Sequence, residues 1–199
     1  PCGLRVGHVA RIEAQAVDEM LAAMNRLPAT PGAVFYVPAG VPHAIGPGVM
    51  ITELQEPTSF SILAEYEAFG LDERQATLGL GWDDALPCFD LDAFTGARLD
   101  ALQPKAQVLS STPDATVRQL FADVAAPFFQ ALRVDVAGSY ALPRSFAILV
   151  IERGTGMLTA GGTSRPVAAG ETFVMPFDAA PASLAGQLRC LVCLPPAGA

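Results

Sequence analysis

Apolar residues recur at helical spacing near the start of the chain: Ile12, Ala16, Met20, Ala23 and Met24 fall on one face, with Glu13, Asp18 and Glu19 on others. This period predicts a helix over about Ile12 to Arg26, closed by Pro28 and by the breaker-rich run Leu27-Pro-Ala-Thr-Pro-Gly32. The pattern then changes. Ala33 to Val37 and Val49 to Glu56 are apolar runs of strand length around the turn cluster Pro38 to Gly48, and they predict a long hairpin. Ser61 to Phe69 fits helix and strand equally. Asp83 to Phe89 predicts a short helix capped by Asp83 or Asp84 and limited by Pro87. The polar, turn-rich stretch from Pro104 to Pro113 reads as a linker or crossing segment.

From Phe128 onward the pattern is strand and turn: Phe129 to Val136, Phe146 to Ile151, Gly156 to Ala160, Glu171 to Met175 and Cys190 to Leu194, separated by glycines. Short strands with glycine turns predict an antiparallel sandwich or barrel. An internal repeat sharpens this. Gly32-Ala-Val-Phe-Tyr-Val-Pro38 and Gly170-Glu-Thr-Phe-Val-Met-Pro176 share one frame, with Phe35 answering to Phe173. The expected fold is mainly β, two related barrel units with an attached helical segment. Continuing in register, His43 of the first unit meets Pro181 of the second.

Half of the 199 residues are apolar, enough for a sizeable core, and no apolar run approaches the length of a membrane span. The net charge of −8 opposes binding to nucleic acid or an anionic membrane surface, but it leaves room for a small anionic metabolite held by local basic groups or a metal. Cys2, Cys88, Cys190 and Cys193 read as free thiols of a reducing compartment, the cytoplasm. The spacing Cys190-Leu-Val-Cys193 matches a redox or zinc motif, yet on a strand residues three apart point to opposite faces, which favours a structural role. The chain begins on Pro1 without a readable signal peptide, and it reads as part of a longer product.

Histidines are scarce: His8 and His43 are the two in the sequence. His43 ends the run GAVFYVPAGVPH, where the Pro38 to Pro42 turn would fix the direction of its ring. Either it is a hydrogen-bonded packing residue at a strand end or it is a metal ligand. His8, beside Gly7, suits an exposed or capping role. Glu53 alternates with Thr52 and Leu54 and faces either the interior or water, with Gln55 on its own side. Trp82, after Leu78-Gly-Leu-Gly81, suits helix packing better than sugar stacking.

The frame G-x5-P-x-G-x2-H from Gly32 to His43 resembles the second motif of the cupins, small jelly-roll barrels in which that histidine binds a divalent metal. The fuller run PGAVFYVPAGVPHAIGPG, followed by Glu53-Leu-Gln-Glu-Pro57, resembles the type I phosphomannose isomerases more closely, and the strong part of the match covers Pro31 to Pro57. The resemblance implies that the chain is the C-terminal part of such an enzyme. Residues 1–60 would complete a metal cupin, 61–113 a helical connection, and 114–199 a second cupin-like barrel without ligands. It implies His43 on one Zn2+ ion, Glu53 in the acid/base or substrate shell, and a sugar phosphate as the small-molecule partner.

Departures from the pattern are specific. The Gln-x-His pair and glutamate that complete the family's metal site are expected upstream of Pro1, and no Gln-x-His occurs in this sequence. Leu63 stands where the family places an arginine that contacts phosphate, and Arg74 is the nearest substitute. Two readings follow: an isomerase that interconverts mannose 6-phosphate and fructose 6-phosphate, or a sugar-binding or regulatory cupin without catalysis. An Fe(II) oxygenase would need two histidines and a carboxylate together.

Overall fold

The computed structural model describes residues 10–56, 58–121, 125–179 and 181–196. The chain forms two compact units: residues 1–52 with 57–102, and residues 53–56 with 103–199.

In the first unit the expected helix is broken. Residues 10–13 are helical, Gln15 takes a left-handed backbone (φ 46°), and α1 (Val17–Ala22) starts afresh. The Gln15 amide explains the break. Its Nε2 donates to the carbonyls of Ile12 (2.7 Å) and Ala64 (3.0 Å), and its Oε1 accepts from the N–H groups of Tyr66 (2.9 Å) and Glu67 (3.2 Å). One side chain bonds four backbone groups of helix and loop. Ser61 to Phe69 is irregular apart from a 3-10 turn at Glu67–Phe69. Next come α2 (Glu73–Ala76), closed by a reciprocal Asp72/Gln75 capping box, and α3 (Trp82–Ala85). The α3 cap is Gly81, whereas Asp83 and Asp84 lie in the first turn, where acidic groups suit the helix dipole. The buried Thr77 hydroxyl donates to the Glu73 carbonyl and accepts from Gly81 N–H, tying α2 to α3. The last helix is α4 (Ala97–Asp100). The core is Ile12, Tyr66, Ala76, Trp82, Ala85 and Leu86, with the Tyr66 and Trp82 rings 6.2 Å apart.

The long hairpin expected over Ala33–Glu56 is not formed. Among the described residues of the first unit no strand ladder occurs, so the two-barrel expectation is met by one sheet, in the second unit. Two physical reasons are visible. Pro28, Pro31, Pro38, Pro42 and Pro47 remove N–H donors and fix φ in and ahead of this stretch. An apolar run also becomes a strand only beside a backbone that completes its hydrogen bonds, and Ile45, Met50 and Ile51 are instead exposed, Met50 at 94%.

The second unit is an eight-stranded antiparallel sheet, ordered β1 (Gln107–Ser111), β2 (Ala115–Gln119), β3 (Gln130–Val136), β8 (Ala182–Leu194), β5 (Ala147–Ala160) and β6 (Thr163–Ala168). β4 (Ser139–Ala141) joins β8, and β7 (Thr172–Met175) joins β5. The protein is thus mainly β, as expected. The supposed linker Pro104 to Pro113 contains β1, an edge strand exposed along its length. The two segments expected at Phe146–Ile151 and Gly156–Ala160 are one strand, β5, which bulges between Ile151 and Arg153. The glycines there serve close approach: a Cβ on Gly156 would lie 2.2 Å from the Ala185 carbonyl oxygen, and one on Gly186 would lie 2.7 Å from Gly156 Cα. Alternate residues of β3, β5 and β8 build the core, including Val134, Leu149, Ile151, Leu184, Cys190 and Val192. No helix among the described residues is long and apolar enough to cross a membrane.

Candidate functional site

The turn that carries His43 is anchored by its glycine. Gly40 has φ 82°, its carbonyl accepts from Asp90 N–H at 2.7 Å, and a Cβ there would stand 2.7 Å from the Cys88 carbonyl oxygen. Only glycine fits both the backbone and the space. Val41 N–H closes the turn on the Pro38 carbonyl at 3.2 Å, and the Val41 side chain is buried. Upstream, Tyr36 N–H donates to the Leu102 carbonyl at 2.9 Å.

His43 Nδ1 lies 2.9 Å from the Val41 carbonyl oxygen. A carbonyl only accepts, so Nδ1 carries a proton and donates it there, which leaves Nε2 as the nitrogen that can face a ligand. A ligating histidine is commonly oriented this way, by its second nitrogen. The residue itself is exposed.

Glu53 is also exposed, and it belongs to the other unit, in the short stretch Glu53–Glu56. Gln55 Nε2 donates to Glu53 Oε1 at 2.9 Å, so the two side chains that share a face are in contact. Leu63 is 40% exposed, and its N–H donates to the Ala76 carbonyl at 3.0 Å. Leu63 therefore meets the end of α2, the helix that bears Arg74. Arg74 lines a cleft of about 390 Å³ with Asp72, Gln75, Leu78 and Gly79.

Trp82 is buried against Tyr66, whose phenol is pushed up by burial and by nearby glutamates, Glu67 foremost. Cys190 and Cys193 sit on β8 as unbridged thiols, pushed up by burial to about 12 and about 11 respectively. Such thiols are poor nucleophiles and poor ligands at neutral pH. His8 and Cys2 lie outside the described residues. Among the described residues no three His, Cys, Asp or Glu side chains gather closely enough to hold a metal ion.

One cluster escaped sequence reasoning. On the sheet face opposite the core, Asp135 Oδ2 accepts from Arg118 at 2.6 Å, while its Oδ1 accepts from Arg189 at 2.6 Å and from Arg153 at 3.4 Å. Burial pushes the Asp135 carboxyl up, but the bonds and charges of Arg189 and Arg118 outweigh it and hold the group below the usual carboxylate range. These residues are far apart in sequence. The signal that unites them is strand register, in which Thr116, Asp135, Arg189 and Arg153 lie opposite one another across β2, β3, β8 and β5.

No family model matches the chain. The mannose-6-phosphate isomerase of Streptococcus mutans serotype c is 24% identical over 178 residues, 85% of this chain and 52% of that protein. The chain spans about half the length of the curated relative it matches. Among solved structures, the mannose 6-phosphate isomerase of Bacillus subtilis overlaps 57% of this chain and 34% of its own, with a TM-score of 0.45 and 16% identity. A cupin 2 conserved barrel domain protein of Salinispora arenicola overlaps 54% of this chain and 91% of its own, with a TM-score of 0.38 and 16% identity.

Proposed function

We propose that this chain is part of an aldose–ketose isomerase of the type I mannose-6-phosphate isomerase kind, acting on mannose 6-phosphate and fructose 6-phosphate. Support comes from the Gly32 to His43 frame, from the weak sequence similarity over 178 residues, and above all from one bond. The Val41 carbonyl fixes the His43 tautomer with Nε2 open, as a metal ligand requires.

The donor set bears on the metal directly. Catalytic zinc takes at least three protein ligands, and the described residues bring a single imidazole to this turn. They do not make a complete zinc centre by themselves. In this proposal His43 is one ligand of a Zn2+ site whose other ligands come from polypeptide ahead of Pro1.

The reaction moves a proton between C1 and C2 through an enediol, and it needs a base at the carbon acid. Glu53 is the candidate. Gln55 occupies Oε1 and orients the carboxylate, which leaves Oε2 to take the proton.

A second reading is favoured by Leu63. Without the arginine fork the phosphate clamp is missing, and the exposed His43 and Glu53 side chains suit a sugar-binding or regulatory cupin. Metal analysis of the full-length protein, with a coupled isomerase assay, separates the two. Stoichiometric zinc and turnover, both lost in His43→Ala, support the isomerase. A folded, metal-free protein that binds sugar without converting it replaces that reading with the second.

A further inference from the structure

The run from Gly32 to His43 carries no strand ladder among the described residues, so its course depends on the bonds it makes to the chain around α4 (Ala97–Asp100). Two of these are backbone bonds. Tyr36 N–H donates to the Leu102 carbonyl at 2.9 Å, and the Gly40 carbonyl accepts from Asp90 N–H at 2.7 Å. Asp90 precedes α4 and Leu102 follows it, and one ion pair draws the two sides together: Arg98, on α4, donates through Nη2 to Asp90 Oδ2. Both partners are themselves held. Arg98 lies over the Phe94 ring, its guanidinium carbon 4.0 Å from the centroid, and the Phe94 carbonyl accepts from Asn25 Nδ2 at 2.8 Å. Asp90 Oδ1 accepts from Asp92 N–H at 3.3 Å.

The Asp90 and Arg98 side chains are 33% and 37% exposed, and a pair this open to water adds little to stability. Its consequence is geometric. It fixes where Asp90 presents its N–H, and with that where the Gly40 carbonyl stands. The next residue, Val41, is the one whose carbonyl faces His43 Nδ1 at 2.9 Å. In free histidine the neutral ring prefers its proton on Nε2, so the Nδ1 form predominates only while an acceptor is held against Nδ1. We propose that Asp90 and Arg98 are positioning residues for His43: their ion pair holds the Gly40–Val41 backbone so that the Val41 carbonyl keeps the imidazole proton on Nδ1 and leaves Nε2 for a ligand. They act through the turn, not on the ring. For catalysis this placement matters only if His43 ligates the metal, as the isomerase reading holds.

The test is the protonation pattern of the ring nitrogens, read by long-range proton–nitrogen correlation NMR on the labelled intact chain, treated with chelator, at a pH where the rings are neutral. The sequence has two histidines, so His43→Ala assigns the signals to His43 or His8. In the unaltered chain His43 should show N–H character at Nδ1. In Arg98→Ala, and in Asp90→Asn, which keeps the shape of the side chain, the larger share of the proton should pass to Nε2. Arg98→Lys restores a cation without the planar fork and should fall between. Arg11→Ala removes an equal charge from an exposed pair of the same unit, Arg11 with Glu19 at 3.2 Å, and should leave the His43 signals unchanged. Fluorescence of the buried Trp82 verifies that each variant compared is folded. An Nδ1 pattern retained in both Asp90→Asn and Arg98→Ala overturns the proposal, as does an equal shift in Arg11→Ala. A proton on Nε2 already in the unaltered chain overturns both this assignment and the main support of the isomerase reading. Zinc takes no part in the measurement, so a metal-free full-length protein with the NMR result intact sinks the isomerase reading alone.

Discussion

Replacing Gly40 by alanine should damage the turn that aims His43, and the size of the effect can be worked from two glycines. Gly40 and Gly48 share a left-handed backbone, φ 82° and 77°. They differ in surroundings: a Cβ at Gly40 meets the Cys88 carbonyl oxygen at 2.7 Å, whereas one at Gly48 meets nothing within 4 Å. Left-handed backbone costs an L-residue about 1–2 kcal/mol at either place. At Gly40 the clash is with backbone, which must move, adding about 1–3 kcal/mol as in other overpacked sites. Moving it also strains the bond from Asp90 N–H to the Gly40 carbonyl. Gly48→Ala should therefore lose about 1–2 kcal/mol and Gly40→Ala about 2–5 kcal/mol. Urea unfolding followed by tryptophan fluorescence reads this directly, because the one tryptophan, Trp82, is buried in the core of the same unit. If the two variants unfold at the same midpoint, the packing of Gly40 against Cys88 is not what holds this turn.

Three further outcomes follow from the same geometry. Gln15→Ala removes four hydrogen bonds to backbone groups, three of them partly buried, and should destabilise the first unit by about 1–3 kcal/mol; a loss under about 0.5 kcal/mol in the same urea assay would contradict it. Asp135→Asn should cost about 1–2 kcal/mol at neutral pH, allowing for partial exposure of the pairs. Because the folded-state carboxyl is held below its unfolded value, that advantage is full above about pH 4 and fades as pH falls through the folded value. Unfolding curves whose wild-type-minus-variant gap grows on acidification would reverse this sign. Alkylation at pH 8, mapped by mass spectrometry, should label the exposed Cys88 quickly and Cys190 only after denaturation; equal rates would contradict the burial assigned to Cys190.

The sheet of the second unit was largely legible because its strands alternate: Val134 and Val136 point inward while Arg133 and Asp135 point outward. Where the sequence misled, the cause is physical. Gly154 and Gly156 look like breaks but lie within one long strand, where backbones pass too closely for side chains. The first half of β8, Ala182 to Gln187, is small and polar and shows no strand signal of its own; it is a strand because β4 and β5 flank it. The apolar run of Val49 to Glu56 has the opposite fault, strand-like composition without a partner. At the candidate site, the motif singles out His43 and Glu53 for test, and Gln55, expected on the side of Glu53, bonds to it. The bond that sets the His43 tautomer depends on a turn conformation that spacing does not reveal. Arg118, Asp135, Arg153 and Arg189 are brought together by register alone, which no single stretch of sequence encodes.

The pairing of β5 with β8 has a consequence for how the second unit is made. β5 and β6 are joined by Gly161-Gly162, so that hairpin closes locally and early. The central partner of β5 arrives only with residues 182–194, and β3 in turn needs that same late strand as its neighbour. During synthesis β5 must therefore wait with one edge unsatisfied until Ala182 to Leu194 emerge, a window in which it is open to wrong partners. A ribosome paused before Ala182 would hold a nascent product whose longest strand is still without its mate.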